Sequence, residues 1–168
     1  TGRGGLMILD AVGEKLGKKA KELTVAVQGF GNVGYFFSEL AHDAGYKIVA
    51  LSDSRGAIYD KRMLGMDPRN VMEQKKAKGN IDGCYCAGSV CDCENYSAIT
   101  NEELLALDVD VLVVAALEGD RVGPADGLRE LAPRVVRVDR QQRVVQVEER
   151  DARPGHSLSS IDLTSGIV

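Results

Sequence analysis

The chain carries little net charge and none of it positive: 21 Lys and Arg stand against 25 Asp and Glu, a balance of −4 at pH 7. That argues against a general attraction to nucleic acid or to an anionic membrane. No apolar run nears the ~20 residues needed to cross a bilayer, and no charged-then-apolar leader opens the chain. Internal repeats and low-complexity tracts are also missing. Neither of the two histidines belongs to a serine or cysteine nucleophile arrangement: His42 falls on the polar side of a helical pattern and His156 in a loop near Pro154-Gly155, and both read as surface residues. The four cysteines, Cys84, Cys86, Cys91 and Cys93, crowd together with poor spacing for a disulfide framework, which predicts a reduced, cytoplasmic setting.

Cations are missing locally as well. No lysine follows Lys78, and residues 79–120 contain nine acids and no Lys or Arg. Later cations are all arginines, interleaved with Asp126, Glu130, Asp139, Glu148, Glu149 and Asp151, so a solvated mixed face is expected there rather than an anion or RNA surface. What remains is ordinary for a globule, 44% hydrophobic and 27% charged over 168 residues, and points to one domain with a good core.

The informative stretch is Thr24-Val25-Ala26-Val27-Gln28-Gly29-Phe30-Gly31-Asn32-Val33-Gly34. A β-branched, apolar run meets three glycines spaced G-x-G-x-x-G, and a helical pattern follows. Gly29 suits a tight strand-to-helix turn, Gly31 lets a pyrophosphate approach the main chain, and Gly34 lets helix and strand pack closely. The helix then begins with unpaired N–H groups and a partial positive charge. A second strand, Lys47 to Leu51, ends beside Asp53, 19 residues beyond Gly34. That is close to the ~20 expected of a carboxylate that holds adenosine ribose hydroxyls. The pattern reads as a nicotinamide-dinucleotide site, with NAD favoured because a carboxylate repels a 2′-phosphate, and NADP possible. Arg55 could accommodate that phosphate or be an exposed turn residue.

Around the motif, helices are predicted over residues 5–19, from Gly34 to about Gly45, and over 67–78 with Asp67 capping and Pro68 in the first turn. Thr100 and Glu103 form a capping-box pattern that opens a short helix. Strands are predicted over 109–117, 134–138 and 143–147, a helix over 125–131 and a loop over 152–160. Strands alternating with helices give an α/β, Rossmann-type, doubly wound and mostly parallel sheet with helices on both faces.

Four separated stretches carry a resemblance: Thr1-Gly2-Arg3-Gly4 before a helix, Val27 to Gly34, Ser52-Asp53-Ser54-Arg55-Gly56-Ala57-Ile58-Tyr59-Asp60, and Asp108-Val109-Asp110-Val111-Leu112 leading to Ala115-Ala116-Leu117-Glu118. In this order and spacing, residues 1–120 resemble the nucleotide-binding domain of the glutamate/leucine/phenylalanine/valine dehydrogenase family, and in particular the archaeal-type glutamate dehydrogenases. The resemblance implies hydride transfer between an L-amino acid and NAD or NADP, with release of ammonia and a 2-oxo acid, in a homo-oligomer. It implies Thr1 near the nicotinamide amide, Phe30, Gly31, Asn32 and Val33 on the pyrophosphate, Asp53 and Ser54 at the adenosine ribose, and Ala115 and Ala116 along the cofactor. Gly29, Gly31, Gly34 and Asp53 are the binding residues that the motif itself names.

The family's catalytic lysine and aspartate belong to an amino-terminal domain that this chain does not contain, and Thr1 to Gly5 read as a cut inside a larger protein. No catalytic residue is therefore assigned, and the chain alone is expected to bind cofactor weakly without turnover. Residues 121–168 depart from the family pattern: Val135-Val136-Arg137-Val138-Asp139-Arg140 replaces a glycine-alanine-asparagine motif, and Ile161-Asp162-Leu163-Thr164-Ser165-Gly166 only echoes a later one. This tail is expected to complete the same single domain.

The cysteines leave a rival open. Two C-x-C pairs four residues apart could supply four thiolates to zinc, but the spacing is tighter than usual knuckles. Packed or adventitious cysteine is the favoured reading, with no metal ligand assigned. A non-catalytic dinucleotide-binding or metal-responsive module, or a truncated relic, are the alternatives to the dehydrogenase.

Overall fold

Apolar periodicity switches along the chain between three to four residues and short continuous runs, and the elements follow it. The computed structural model describes residues 2–115, 134–138 and 145–149, the last two segments as strands. Helix α1 (Gly2–Leu16) starts earlier than its apolar stripe, buries Leu9 and Val12, and ends at Gly17, whose φ is 62°. Strand β1 (Thr24–Gln28) runs into α2 (Asn32–Asp43), then β2 (Lys47–Ser52) and β3 (Ala57–Asp60). Helix α3 (Pro68–Lys78) is capped by Asp67, which accepts from the Arg69 N–H, and closed by Gly79 in the left-handed region. A small hairpin, β4 (Tyr85–Ala87) and β5 (Val90–Asp92), precedes β6 (Tyr96–Ile99). Helix α4 (Asn101–Leu105) opens with the expected capping box: Thr100 Oγ1 accepts from the Glu103 N–H at 3.1 Å, and a Glu103 carboxylate oxygen accepts from the Thr100 N–H at 2.7 Å. Strands β7 (Val111–Val114), β8 (Arg134–Val138) and β9 (Val145–Glu149) follow.

The main sheet has the order β6-β3-β2-β1-β7-β8-β9. Its centre, β2-β1-β7-β8, is parallel, whereas β2 to β3, β3 to β6 and β8 to β9 are antiparallel. The sheet is thus mixed, with a parallel centre and antiparallel edges: residues 53–56 return the chain from β2 to β3 in a short turn that leaves no room for a crossover, and β6 runs opposite to β3 in turn. Side-chain alternation builds two cores. Val25, Val27, Val111 and Val113 point to one side with Leu9, Phe37 and Val71, while Ala26 and Leu112 point to the other with Leu104. A register shift after Val25, where Ile48 and then Ala50 are its and Ala26's partners, puts both Val49 and Ala50 in the second core. Helices α1, α2 and α3 therefore pack on one face and α4 on the other, as the doubly wound reading requires. Each wholly buried Phe, Leu or Val contributes about 1.5–3 kcal/mol.

The hairpin overturns the reading of the cysteines. Cys84 is bonded to Cys93 and Cys86 to Cys91. Gly88, at φ 60°, turns the chain between β4 and β5, so that Cys86 stands directly opposite Cys91. Spacing that looks wrong for a disulfide framework is the spacing of two cross-strand pairs once the turn is in place. Among the described residues no cysteine is free, and no group of three or more His, Cys, Asp and Glu side chains is arranged to hold a metal ion.

Boundaries also differ: the helix expected over 5–19 spans Gly2–Leu16, the one expected from Gly34 spans Asn32–Asp43, the strand expected over 109–117 spans Val111–Val114, and the one expected at 143–147 is found at Val145–Glu149. The helix expected over 125–131, the loop over 152–160, His156, Thr1 and Ala116 lie outside the described residues. Among the described residues no helix is long and apolar enough to cross a membrane.

Candidate functional site

The candidate site is the turn between β1 and α2, together with the carboxyl end of β2. Gly29 has φ 91°, a conformation that a side chain would strain, and the N–H groups of Gly29 and Phe30 both donate to the Ser52 carbonyl, at 2.9 and 2.6 Å. The turn is thereby tied to the end of β2. Gly34 is required for packing: a Cβ there would overlap the Gly29 carbonyl oxygen. Gly31 is different. Its backbone is extended (φ −93°, ψ −159°), and a Cβ there would meet nothing within 4 Å. Nothing inside the described fold requires glycine at this position; a ligand approaching the main chain would. Gly31 is the N-cap of α2, supplies no side-chain cap, and is followed by a first turn with no acid. Asn32 is exposed and Val33 half-buried. The amino end of α2 thus presents N–H groups and the positive end of the helix dipole to solvent.

Phe30 serves the site from below. Its ring is wholly buried and meets Tyr35 edge-on at 5.8 Å, and its carbonyl accepts from Lys75 Nζ at 2.8 Å. Lys75 is the residue that sequence reasoning missed. From the last turn of α3 it also reaches Asp53 Oδ2 at 2.8 Å. Asp53 is almost enclosed: Oδ1 accepts from the N–H groups of Arg55 and Gly56 at 2.8 and 3.1 Å, and its backbone carbonyl accepts from Asn101 Nδ2 at 3.1 Å. Burial alone would raise its pKa, but the Lys75 ammonium and the two backbone N–H groups outweigh burial and hold it below the usual carboxylate value. The only sequence signal for Lys75 was the cluster Lys75, Lys76 and Lys78 near the end of a helix, which reads equally well as a favourable dipole interaction.

Arg55 turns away to α3, donating from Nη1 to the Gly79 carbonyl at 2.8 Å. Ser54 is exposed, and Ala115 is half-buried with its N–H on the Gln28 carbonyl at 2.8 Å. His42 is partly exposed at the end of α2 beside Arg69 and Asp43, away from the turn. Three buried side-chain atoms among the described residues have no hydrogen-bond partner: Gln28 Oε1, Ser52 Oγ and Asn101 Oδ1. Gln28 and Ser52 face each other across the ends of β1 and β2, and Asn101 bonds the Asp53 carbonyl. Buried polar atoms without partners are uncommon and call for an explanation. These gather at the carboxyl ends of central strands, where an open α/β sheet takes its ligand. The orphaned acceptors and hydroxyl, the open Gly31 and the bare helix terminus all fit a dinucleotide with a diphosphate at one end of the turn and a ribose beside Asp53.

Comparison with known proteins agrees with this geometry. The family model described as Glutamate/Leucine/Phenylalanine/Valine dehydrogenase matches residues 1–122. The chain is 44% identical over 118 residues to the NADP-specific glutamate dehydrogenase of Synechocystis sp., covering 70% of this chain and 27% of that protein. It is 35% identical over 118 residues to the cryptic catabolic NAD-specific glutamate dehydrogenase of Bacillus subtilis, covering 70% and 25%. Among solved structures it resembles the hetero-hexameric glutamate dehydrogenase of Thermus thermophilus, with TM-score 0.62 and 30% identity over 81% of this chain and 29% of that one. The chain spans about a quarter of the length of these curated relatives. By the extent of the family match, and by the turn that carries it, this chain belongs to the Glutamate/Leucine/Phenylalanine/Valine dehydrogenase family.

Proposed function

We propose that this chain is the coenzyme-holding part of an amino-acid dehydrogenase, with glutamate the first substrate to test. The whole chain, its tail included, would serve as one dinucleotide-binding domain of a protein that assembles as a homo-oligomer. The bound nicotinamide would supply a hydride acceptor or donor, so that an L-amino acid is converted to a 2-oxo acid and ammonia. The residues of this chain bind and orient. The N–H groups at Asn32 and Val33 face the diphosphate, while the Gly31 N–H closes the turn on the Gly29 carbonyl at 2.9 Å and its missing side chain leaves the approach clear. Asp53, held ionised by Lys75, accepts from a ribose hydroxyl while keeping its turn intact. Thr1, Ser54, Ala115 and Ala116 complete the set that the family resemblance assigns to the cofactor. No proton-transfer role is assigned to any residue here.

The observation that carries this reading is Gly31, a glycine without an internal reason, at the mouth of a helix whose first turn is uncapped. Asp53 alone favours NAD, but its pairing with Lys75 removes most of the repulsion toward a 2′-phosphate, so we propose that both NAD and NADP are accepted. The two relatives above, one named NADP-specific and one NAD-specific, are compatible with either. Calorimetric titration of NAD, NADP and ADP-ribose tests the proposal. Saturable 1:1 binding of all three is expected, and absence of heat and of competition for every one of them overturns it.

A further inference from the structure

The second sheet has no evident task in holding a dinucleotide, yet it concentrates the chain's cysteines. Cys84 and Cys86 lie on β4 and its approach, Cys91 and Cys93 on β5 and its exit, and the two bonds join facing positions. Alternation puts all four sulfurs on one side of the hairpin and Tyr85 and Asp92 on the other. Cys91 and Cys93 are exposed, so each bond has a sulfur within reach of an attacking thiolate. The hairpin pairs with no strand of the main sheet. It is fastened mainly to one face of α3. The Tyr85 hydroxyl accepts from the Asp67 N–H at 3.1 Å and from Asn70 Nδ2 at 2.7 Å, and its ring stacks on Tyr96 at 4.9 Å. With its amide turned to satisfy both neighbours, Gln74 donates to the Cys84 carbonyl at 3.2 Å and accepts from the Cys86 N–H at 3.0 Å. Asp67, Asn70 and Gln74 form one stripe of the helix. The residue after Gln74 is Lys75, which holds both Asp53 and the Phe30 carbonyl.

We propose that the β4–β5 hairpin is a thiol–disulfide modification site whose partner is a dithiol reductant, and that its oxidation state is transmitted through Gln74 and Lys75 to the Asp53 end of the coenzyme site. One dithiol reduces one bond: its thiolate attacks an exposed sulfur, Cys91 or Cys93, and displaces the partner cysteine as thiolate. Its second thiol then resolves the mixed disulfide, leaving two cysteine thiols and one oxidised dithiol. Each bond takes two electrons and two protons, so full reduction consumes two dithiols and yields four thiols. The oxidised hairpin fixes the Cys84 and Cys86 backbone against Gln74 and so fixes the last turns of α3. Reduction frees that backbone and allows Lys75 to leave Asp53. The coenzyme part of this inference rests on the function proposed above; the thiol chemistry and its effect on α3 do not.

The test begins with protein purified without reductant. Thiol titration and peptide mapping should find no free thiol and the pairs Cys84–Cys93 and Cys86–Cys91, and dithiothreitol should release four thiols. NAD and NADP affinities are then measured in the oxidised, reduced and reoxidised forms. A reversible change on the order of fivefold is expected, the low end of typical coupling between sites. Gln74→Ala should abolish the difference while leaving the thiol count unchanged. Amide hydrogen exchange of α3 is followed in the same three states, and faster exchange at Lys75 on reduction is expected whether or not coenzyme binds. If no coenzyme binds in any state, the proposed function fails, and the exchange data alone decide the hairpin's role. Four free thiols in the unreduced protein, or equal exchange across α3 together with any affinities staying equal, overturns the inference.

Discussion

Replacing Gly31 with alanine separates folding from ligand binding. The new methyl would meet nothing within 4 Å, and the backbone there is extended, so no strain arises. Two small terms oppose each other. Alanine at an N-cap costs about 0.5–1 kcal/mol, and loss of the glycine's freedom in the unfolded chain returns about 0.4–1 kcal/mol. Net stability should change by less than about 1 kcal/mol, a shift of at most about 4 °C in Tm at this size. Binding should respond quite differently. A methyl in the diphosphate's path denies it close approach to the N–H groups, and each lost charge-assisted hydrogen bond is worth about 1.5–3 kcal/mol. Loss of a single one weakens the coenzyme by roughly 10- to 150-fold. Scanning calorimetry and titration of the same sample give both numbers. An unchanged Tm with a coenzyme Kd within about threefold of wild type would refute the reasoning, because the open space at Gly31 would then have no occupant. Gly34→Ala is the control: its Cβ would overlap the Gly29 carbonyl, so folding itself should suffer.

Three further outcomes follow from the same geometry. Lys75→Met leaves Asp53 uncompensated, so NADP should bind about 10- to 100-fold more weakly while NAD changes by no more than a few-fold; equal losses for both would place Lys75 away from the ribose. Asp60 is wholly buried and accepts from the N–H groups of Arg62, Leu64 and Gly65 at 3.1, 3.0 and 2.9 Å, so Asp60→Ala, which strips three backbone donors of their partner, should cost about 2–4 kcal/mol by urea unfolding, and a loss under about 1 kcal/mol would contradict that role. Asp110, despite burial that opposes ionisation, is held below its usual pKa by Lys18 and by the Thr24 N–H and hydroxyl. Its stabilisation should be complete above the unfolded-state value of about 3.9 and disappear as pH falls through the lower folded-state value. Asp110→Asn should flatten that acid limb of the urea-unfolding profile, and an unaltered limb would count against it.

The glycine motif was legible because each glycine meets a local constraint that operates within a few residues. Strand β1, the turn and α2 enforce one another, and Asp53 follows from the length of the βαβ unit. The caps of α3 and α4 were legible for the same reason, since Asp67 with Arg69 and Thr100 with Glu103 are neighbours in sequence. Lys75 was not, because its partner is 22 residues away and a helical lysine has many reasons to exist. The cysteines misled because two residues of turn, Gly88 and Ser89, decide which sulfurs meet; counting residues between them without that turn gives the wrong geometry. The antiparallel edges were hidden too, since β3 and β6 are short and carry no pattern that distinguishes one direction of pairing from the other.

The central claim is that a dinucleotide lies across the amino end of α2 with its ribose beside Asp53. Backbone ¹⁵N–¹H spectra recorded while NAD or NADP is added test it residue by residue. The amides of Gly31, Asn32, Val33 and Gly34, with those of Arg55 and Gly56 that hold Asp53, should move together and saturate at one equivalent. Shifts confined to other residues, or none at saturating coenzyme, would contradict the account.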